Sequence, residues 1–409
     1  MSFTNSPLNK DKMVDNVFKI TKLAKAAKAE GKDVIDATIG TLRNEDGSLA
    51  VNKIVYENLE KISDTDKASY ASQIIGNQDY LDAVKDWVLQ DKCQNMYCAL
   101  NATAGGTGAI TSVIFSTLKA GETFLYPDTG WGNYKIIADT LGLNKQNYEM
   151  FKDDSFNTES LRNNAEDILI KQGHLTLIIN DPCQNPTGYS LSYKEWEETV
   201  NILNELSSLG TIVLINDIAY IDYSRDLEHS RDYLDCFKKL NENVLVAVAF
   251  SCSKTMSAYG QRTGADIILS NNKAATEELG NALERYSRST WSNINNAFMI
   301  NFAEVMNNHK DEFLKENRQM TEMLNKRAEL FIKQAEDCSL PVYPYKDGFF
   351  VTVKVDNETR DQYHEALLNK DIYTIKVNKG IRVALCSLSL DKCNNLAYKL
   401  KEILDNIKR

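Results

Sequence analysis

Three apolar segments separated by helical stretches restrict the folds that this chain can adopt. They are residues 175–180 (LTLIIN), 212–216 (IVLIN) and 243–250 (NVLVAVAF), and shorter strand patterns occur at 124–127 and 265–269. Continuous apolar runs of this length are typical of strands buried on both faces of a sheet. Strands that alternate with helices predict a mostly parallel α/β sheet with right-handed crossovers. Such a sheet carries its ligand-binding groups at the carboxyl ends of its strands.

The composition excludes several classes of protein. The chain has 409 residues and is 43% hydrophobic, enough for a large core, and its net charge of −10 disfavours nucleic acid or an anionic membrane as a main partner. Residues 1–13 lack the apolar core of a signal peptide, and no apolar run is long enough to span a membrane. Eight cysteines without a C-x-x-C pair and only four histidines disfavour a metal site or a disulfide framework. The chain is therefore predicted to be cytoplasmic and to bind no metal.

A lysine flanked by two serines follows the third apolar segment. Ser251, Ser253 and Lys254 leave the strand end, and Arg262 follows in the next loop. A lysine just beyond a buried strand can be partly desolvated, which lowers its pKa and allows its amine to form a Schiff base with an aldehyde. A serine hydroxyl and a guanidinium are both suited to binding phosphate. The alternative is an ordinary solvated lysine at a strand end.

Polar residues also follow the other two apolar segments. Asn185 belongs to an Asn-Pro-Thr-Gly turn after the first segment, and Asp217 ends the second segment, three residues before Tyr220. An aspartate at the end of an apolar strand is costly to bury unless it faces a cation. We therefore expect a protonated ring nitrogen or an arginine opposite Asp217.

A glycine-rich segment opens a predicted helix at 105–120. Its first residues, Gly105, Gly106 and Thr107, leave backbone N–H groups unpaired at the positive end of the helix dipole, which suits either an anion site or an ordinary helix cap. Further along, Trp131 lies between two glycines in a polar loop. It could stack on a planar ring or pack into a domain interface.

The two ends of the chain have a different character from the middle. A helix at 13–30 and a short strand at 34–39 precede Gly40, and a polar turn with two arginines is predicted at 285–293. Arg382 interrupts an apolar strand, either as a carboxylate clamp or as a strand-edge residue. The remaining predicted elements are helices at 51–62 and 77–92, a long connecting helix within 296–336, alternating strands at 342–345 and 348–355, a helix at 358–369, a strand at 381–385 and a helix at 391–408.

These motifs, in this order, resemble those of the class I/II, fold-type I pyridoxal-phosphate (PLP) aminotransferases, the aspartate aminotransferase superfamily. The resemblance runs from about Ile39 to Arg382. It rests on Ser251-x-Ser253-Lys254 followed by Arg262, Asn185-Pro186-Thr187-Gly188, Asp217-x-Ala219-Tyr220 and Gly106-Thr107-Gly108. It implies a mostly parallel seven-stranded sheet in a large PLP-binding domain and a smaller α+β domain formed by both chain ends. The implied boundaries are 46–300 for the large domain, and 1–45 with 301–409 for the small one.

The resemblance also implies a role for each matching residue around the cofactor ring. Lys254 would carry the covalent link to PLP and afterwards move the proton at the substrate carbon. Asp217 would keep the ring nitrogen protonated, and Tyr220 and Asn185 would bind the ring oxygen. Trp131 would stack on the ring face.

Further implied roles concern the phosphate and the substrate. Tyr70 of a second subunit would reach the phosphate, although its spacing from Gly76 departs from the aspartate enzymes. Arg382 would clamp the substrate α-carboxylate beneath Ile39 and Gly40. Arg288 would either bind a side-chain carboxylate or lie in the dimer interface. The groups that would hold the phosphate within one subunit are Gly105, Gly106, Thr107, Ser251, Ser253 and Arg262.

The implied activity is that of a homodimeric aminotransferase. It would move an amino group from an aspartate-like or aromatic L-amino acid to a 2-oxo acid such as 2-oxoglutarate, by a ping-pong mechanism. A PLP-dependent C–S lyase or decarboxylase of the same fold is the alternative, because substrate orientation rather than the set of cofactor-binding residues decides which bond breaks.

Overall fold

The computed structural model describes residues 15–407 together with residues 3, 12 and 13. The start of the predicted helix at 13–30, the first part of the predicted small domain and the last residues of the chain thus lie partly outside the described residues. The strands are β1 (Ile35–Asp36), β2 (Tyr97–Thr103), β3 (Thr123–Pro127), β4 (Asn144–Tyr148), β5 (Phe151–Lys152), β6 (Ser155–Phe156), β7 (His174–Asn180), β8 (Thr211–Asp217), β9 (Val244–Ser251), β10 (Gly264–Ser270), β11 (Phe350–Lys354), β12 (Ile372–Tyr373), β13 (Ile375–Val377) and β14 (Gly380–Ala384).

The helices surround and connect these strands. No helix of the described residues is long and apolar enough to cross a membrane. The α-helices are α1 (Asn16–Ala29), α2 (Lys53–Lys61), α3 (Asp64–Ala68), α4 (Gln78–Leu89), α5 (Gly105–Thr117), α6 (Asn133–Thr140), α7 (Thr158–Gln172), α8 (Tyr193–Leu206), α9 (Cys252–Thr255), α10 (Lys273–Thr290), α11 (Asn296–Asn308), α12 (Lys310–Asp337), α13 (Asn357–Leu368), α14 (Leu390–Cys393) and α15 (Leu396–Ile407).

The main sheet has seven strands in the order β2-β10-β9-β8-β7-β3-β4. Only β10 runs antiparallel to its neighbours, β9 and β2. Every residue of β9 is buried, as its continuous apolar sequence predicts for a central strand. The mostly parallel α/β sheet predicted from the sequence is thereby confirmed.

The register of this sheet brings the polar strand ends together. Asn180, the last residue of β7, pairs with Asp217, the last residue of β8, and Asp217 pairs with Ala249 in β9. Ser251 ends β9 two positions further on. Because parallel strands end at the same edge of the sheet, residues far apart in sequence meet there.

A smaller antiparallel sheet faces this edge. Its order is β11-β14-β13, and β1 pairs with β12 beside it. A core separate from those on the two faces of the main sheet packs this sheet against α12, α13 and α15. Arg382 lies on β14, so it occupies the central strand and not a strand edge.

The predicted polar turn at 285–293 is wrong. Arg285 and Arg288 belong to the last turns of α10, which continues to Thr290. The buried residues of α10 follow one another at helical spacing, and this stripe extends the helix through the polar segment. They are Thr276, Leu279, Leu283 and Ser287.

Other element predictions are wrong in their limits. The connecting helix within 296–336 is two helices, α11 and α12, separated at His309, and residues 342–345 form only an isolated bridge at Val342. The C-terminal helix is divided between α14 and α15. Strands β2 and β4 were not predicted, because their sequences, YCALNAT and NKQNY, are not continuously apolar.

Candidate active site

A cavity of about 320 Å³ opens where the carboxyl ends of the central strands face the smaller sheet. Motif residues from all three strand ends contribute to its wall, together with residues from α1, α5 and β14. The lining residues are Val17, Gly40, Gly106, Thr107, Ile110, Trp131, Asn180, Asn185, Asp217, Ala219, Tyr220, Ser251, Ser253, Lys254, Arg262, Phe350 and Arg382.

The Lys254 side chain lies in this cavity on the one-turn helix α9. Its Nζ donates a hydrogen bond to the Gly40 carbonyl at 2.8 Å and lies 4.5 Å from the centre of the Tyr259 ring. Burial lowers the pKa of the amine to about 8, and the positive charges of Arg382 and Arg262 act in the same direction. The strand-end lysine is therefore a buried amine that can become neutral, and thus nucleophilic, near physiological pH.

Asp217 is buried beside two uncharged hydrogen-bond donors. The Tyr134 hydroxyl donates to its Oδ2 at 2.6 Å, and the Ala219 backbone N–H donates to its Oδ1 at 3.1 Å. Burial raises the pKa of the carboxyl to about 6, whereas the hydrogen bond from Tyr134 acts in the opposite direction. A carboxyl held in this way can receive a cation, such as a protonated ring nitrogen.

We expect the substitution Asp217→Asn to stabilise the cofactor-free protein at neutral pH. The carboxyl pKa is about 6 in the folded protein, against an ordinary value of 3.8. The free energy of unfolding that Asp217 contributes is therefore complete below pH 3.8 and is lost as the pH rises through 6. The loss is about 3 kcal/mol above pH 7. Urea unfolding of the two proteins should give a difference in free energy that grows between pH 4 and pH 7. A constant difference across that range would contradict the assigned burial.

Arg382 is a buried cation that faces the cavity with incomplete pairing. Its Nη2 donates to the Thr38 carbonyl at 2.7 Å, and its Nη1 donates to Asn185 Oδ1 at 3.2 Å. The guanidinium lies 4.4 Å from the centre of the Phe350 ring, and its Nε has no hydrogen-bond partner within the described part of the chain. Burial lowers the pKa of this side chain, which is only 7% exposed. A ligand carboxylate would supply the missing negative charge.

Tyr220 and Asn185 lie next to this arginine. Burial raises the pKa of the Tyr220 hydroxyl, and the positive charge of Arg382 opposes the shift. The backbone N–H of Asn185 donates to Asn180 Oδ1 at 2.8 Å, which fixes the Asn-Pro-Thr-Gly turn against the end of β7. Two neutral donors and one cation therefore converge on the same side of the cavity.

The amino-terminal end of α5 forms a cradle with Ser251 and Arg262. Gly105 has φ of +70°, and a Cβ there would lie 2.8 Å from Arg262 Nη2. A Cβ at Gly106 would lie 3.1 Å from the Ser251 Cβ. The two glycines thus let a hydroxyl and a guanidinium approach the unpaired N–H groups of the helix. Arg262 also donates to Ser253 Oγ at 3.1 Å. This donor set suits a phosphate.

Four predicted site residues lie outside the cavity wall, and one of them is Gly105. The Tyr70 side chain is 86% exposed. Arg288 is exposed on α10, where it donates to Ser292 Oγ. Ile39 does not line the cavity, and its carbonyl accepts a hydrogen bond from the Cys386 thiol at 3.7 Å.

Other residues shape the site although no motif marks them. Tyr134 binds Asp217, Asn180 binds the Asp217 carbonyl at 2.7 Å, and Phe350 packs under Arg382. Asn180 follows the same strand-end pattern as Asp217, so the sequence carried a signal for it. Tyr134 reaches Asp217, and Phe350 reaches the cavity wall, only through the arrangement of α6 and β11.

A buried amine, a buried carboxyl beside neutral donors, and a phosphate cradle in one cavity define an α/β enzyme site suited to PLP. Comparison with known proteins agrees. The model of the family "Aminotransferase class I and II" matches residues 32–400. The chain belongs to this family and is a PLP-dependent aminotransferase, which acts on amino acid and oxo acid substrates. The reaction class and the cofactor predicted from the sequence are confirmed.

Individual relatives are more distant in sequence than in structure. The aromatic-amino-acid aminotransferase of Paracoccus denitrificans is 25% identical over 68% of this chain and 69% of its own. The aspartate aminotransferase of Haemophilus influenzae is 24% identical over 77% of this chain and 80% of its own. A solved aminotransferase from Anaerococcus prevotii superposes with a TM-score of 0.94 and 33% identity, covering 98% of this chain and 99% of that one. An aromatic-amino-acid aminotransferase from Burkholderia pseudomallei, solved covalently bound to PLP, has a TM-score of 0.79 and 19% identity, covering 99% of this chain and all of that one.

Proposed function

We propose that Lys254, Asp217 and Arg382 are the central groups of the amino transfer. PLP, when bound, supplies a conjugated ring that withdraws electrons from the substrate α-carbon. Asp217 holds a proton at the ring nitrogen and so maintains that property. Lys254 would carry the covalent link to the cofactor and, as a neutral amine, would move the proton at the substrate α-carbon. The observation that carries this proposal is the buried Asp217 carboxyl, whose two donors are both neutral.

The residues of the cavity wall support most of the remaining proposed cofactor contacts. Tyr220 and Asn185 would bind the ring oxygen, and Trp131, which packs edge-on against Tyr134 at 5.5 Å, would contact the ring face. The phosphate is bound by the α5 cradle, and Tyr70 of a second subunit completes it. The phosphate-binding groups of one subunit are Gly105, Gly106, Thr107, Ser251, Ser253 and Arg262.

The proposed assembly is a homodimer located in the cytoplasm. The exposure of Tyr70 outside the cavity of its own chain supports the homodimer, because the side chain is free to contact a second subunit. All eight cysteines are free, which suits a reducing compartment. Within each subunit, residues 46–300 form the large domain, and residues 1–45 and 301–409 form the small one.

The proposed substrates are a dicarboxylic or aromatic L-amino acid and a 2-oxo acid such as 2-oxoglutarate, converted by a ping-pong mechanism. The relatives named aspartate and aromatic-amino-acid aminotransferases support this range. Arg382 binds the α-carboxylate, for which it has an unpaired Nε, and Ile39 and Gly40 close over the substrate. Arg288 of the second subunit binds the side-chain carboxylate of a dicarboxylic substrate.

An absorbance spectrum of the PLP-loaded protein tests the ping-pong half-reaction. We expect a dicarboxylic or an aromatic L-amino acid, added without an oxo acid, to convert the yellow band to that of the aminated cofactor, because the amino group then stays on the enzyme. Added 2-oxoglutarate should restore the yellow form. Release of ammonia and a 2-oxo acid without accumulation of the aminated form would instead indicate a lyase.

The same spectrum tests the role of Arg288. The substitution Arg288→Leu should weaken the response to aspartate and glutamate by about ten-fold or more, since it removes a charge-assisted contact, and should leave the aromatic response unchanged. The control is Arg285→Leu, because Arg285 is also exposed on α10. Equal responses of both variants to all donors would contradict a side-chain clamp at position 288.

A further inference from the structure

The turn that carries Lys254 is too short to hold its own position. Helix α9 spans only the four residues Cys252–Thr255, and an isolated helical turn has little intrinsic stability. The Thr255 side chain follows Lys254 directly and is 1% exposed, so it points into the interior while the amine points into the cavity. The contacts of Thr255 therefore bear on where the lysine amine lies.

The buried carboxylate of Asp222 binds the Thr255 side chain. The Thr255 hydroxyl donates to Asp222 Oδ2 at 2.5 Å, and the Trp87 indole N–H donates to the same oxygen at 3.2 Å. Arg231 forms an ion pair with Oδ1, and the two charged side chains are 3% and 2% exposed. The Arg231 guanidinium also donates to Ser230 Oγ at 2.6 Å. Three side chains thus bind the Asp222 carboxylate, those of Thr255, Trp87 and Arg231.

Asp222 lies on the segment that also supplies three residues of the cavity, Asp217, Ala219 and Tyr220. A short 3-10 helix, Ile221–Tyr223, follows Tyr220 directly, and Tyr220 follows β8 and Asp217. The contact from Asp222 to Thr255 therefore joins the end of β8 to the turn after β9. The Asp217 carboxyl and the Lys254 amine lie on the two segments that this contact joins.

Stability alone is a poor explanation for this arrangement. A fully buried ion pair recovers little more than its desolvation cost, and hydrophobic residues of similar size are often as stable. The Arg231 Nε has no hydrogen-bond partner in the described residues, which adds to the cost. Such a pair fits a positional role, because it fixes one geometry of its neighbours.

We propose that Asp222 is a positioning residue that holds the Lys254 turn, through the Thr255 hydroxyl, at a set place relative to Asp217 and Tyr220. The inference rests on the proposed role of Lys254. Neither Asp222 nor Thr255 lines the cavity, so both act through the lysine and not on the cofactor or substrate.

The test compares variants at Thr255. Thr255→Val replaces the hydroxyl with a methyl group at nearly constant volume. Thr255→Ala removes the hydroxyl and puts nothing in its place, and Thr255→Ser keeps the hydroxyl. The matched control is Thr199→Val in α8, because Thr199 is also fully buried and donates a hydrogen bond, to the Glu195 carbonyl at 2.7 Å, but lies away from the cavity. Circular dichroism first establishes which variants fold, and the alanine variant replaces the valine variant if the latter does not.

Two readouts separate position from general stability. In the PLP-loaded enzyme, kcat should fall about ten-fold for Thr255→Val or Thr255→Ala with little change in KM, because a small displacement of the amine affects proton transfer more than substrate binding. In the cofactor-free protein, the pH dependence of Lys254 acylation, followed by mass spectrometry, should have its midpoint near 8 for the wild type. It should move upward in the two variants, because their amine is less firmly held in its buried position.

The proposal stands if these changes occur in Thr255→Val or Thr255→Ala and not in Thr255→Ser or Thr199→Val. It is overturned if the variants without the hydroxyl match the wild type in kcat and in the acylation midpoint, or if Thr199→Val loses as much as they do. Failure of the proposed function itself would look different, since the wild type would then give no spectral response to any amino acid. The acylation measurement does not require aminotransferase activity.

Discussion

Replacing Lys254 with alanine is expected to abolish both the visible absorbance of the PLP-loaded protein and its amino transfer. The substitution removes the buried amine that we propose as the point of covalent attachment and as the proton carrier. Loss of a positioned general base alone costs about 10²–10⁴-fold in rate. Absorbance spectra after incubation with PLP and single-turnover kinetics with an amino acid measure the two effects.

A matched control for this variant exists on another strand end. Lys354 ends β11, but its side chain is 36% exposed and forms an ion pair with Asp154 at 3.3 Å. Lys354→Ala should therefore keep the spectrum and the activity, since a solvated lysine has neither the lowered pKa nor the access to the cavity. If Lys254→Ala retained a yellow, active enzyme, the central assignment would be wrong.

The contrast between these two lysines shows how far the sequence could predict the site. A continuous apolar strand predicts burial of the residues next to its carboxyl end, and this rule is enough to locate Lys254, Asp217 and the Asn185 turn in the sequence. The three positions meet because parallel strands of one sheet end at one edge. To predict that these three positions meet, it is enough to know that their strands are parallel neighbours in one sheet.

Contacts between layers could not be predicted in the same way. Tyr134 reaches Asp217 from α6, so that contact depends on how the helix packs on the sheet, and the Phe350–Arg382 contact depends on the pairing register of β11 and β14. The Asp222–Arg231 pair could not be predicted either, because neither residue follows an apolar strand directly. The error at 285–293 has a related cause: the polar residues there face outward, and the apolar stripe beneath them continues the helix.

The strands at the margins of the main sheet were not predicted for a different reason. Strand β4 pairs only with β3 at the edge of the main sheet, so its NKQNY sequence has no need to be apolar throughout. Hydrophobic pattern identifies strands through burial, and an edge strand is half solvated. The centre of the sheet is therefore predictable where its edges are not.

The substitution Arg382→Met is expected to lower activity and raise stability at the same time. Arg382 is buried without a carboxylate partner in the described part of the chain, and its Nε is unpaired, so the free protein bears the cost of the desolvated charge. The desolvation cost of that charge, several kcal/mol, outweighs the two hydrogen bonds lost with it, to the Thr38 carbonyl and Asn185 Oδ1, so the free energy of unfolding of the cofactor-free protein should rise by about 1 kcal/mol. The same change should lower kcat/KM for amino acid substrates by about two to three orders of magnitude, because truncating a buried charge pair costs about 2–5 kcal/mol.

Arg327 provides the control that separates these two effects. It is also fully buried, but it forms an ion pair with Glu45 at 2.6 Å and donates to the carbonyls of Arg43 and Cys386. Arg327→Met should therefore destabilise the protein, by about 1–3 kcal/mol, since it leaves the buried Arg43 carbonyl without a donor and Glu45 without its cation. Urea unfolding measures the free energy of unfolding of both variants, and steady-state kinetics measures their kcat/KM. If Arg382→Met destabilised the protein as much as Arg327→Met and left kcat/KM unchanged, Arg382 would be a structural residue and not the clamp for the substrate carboxylate.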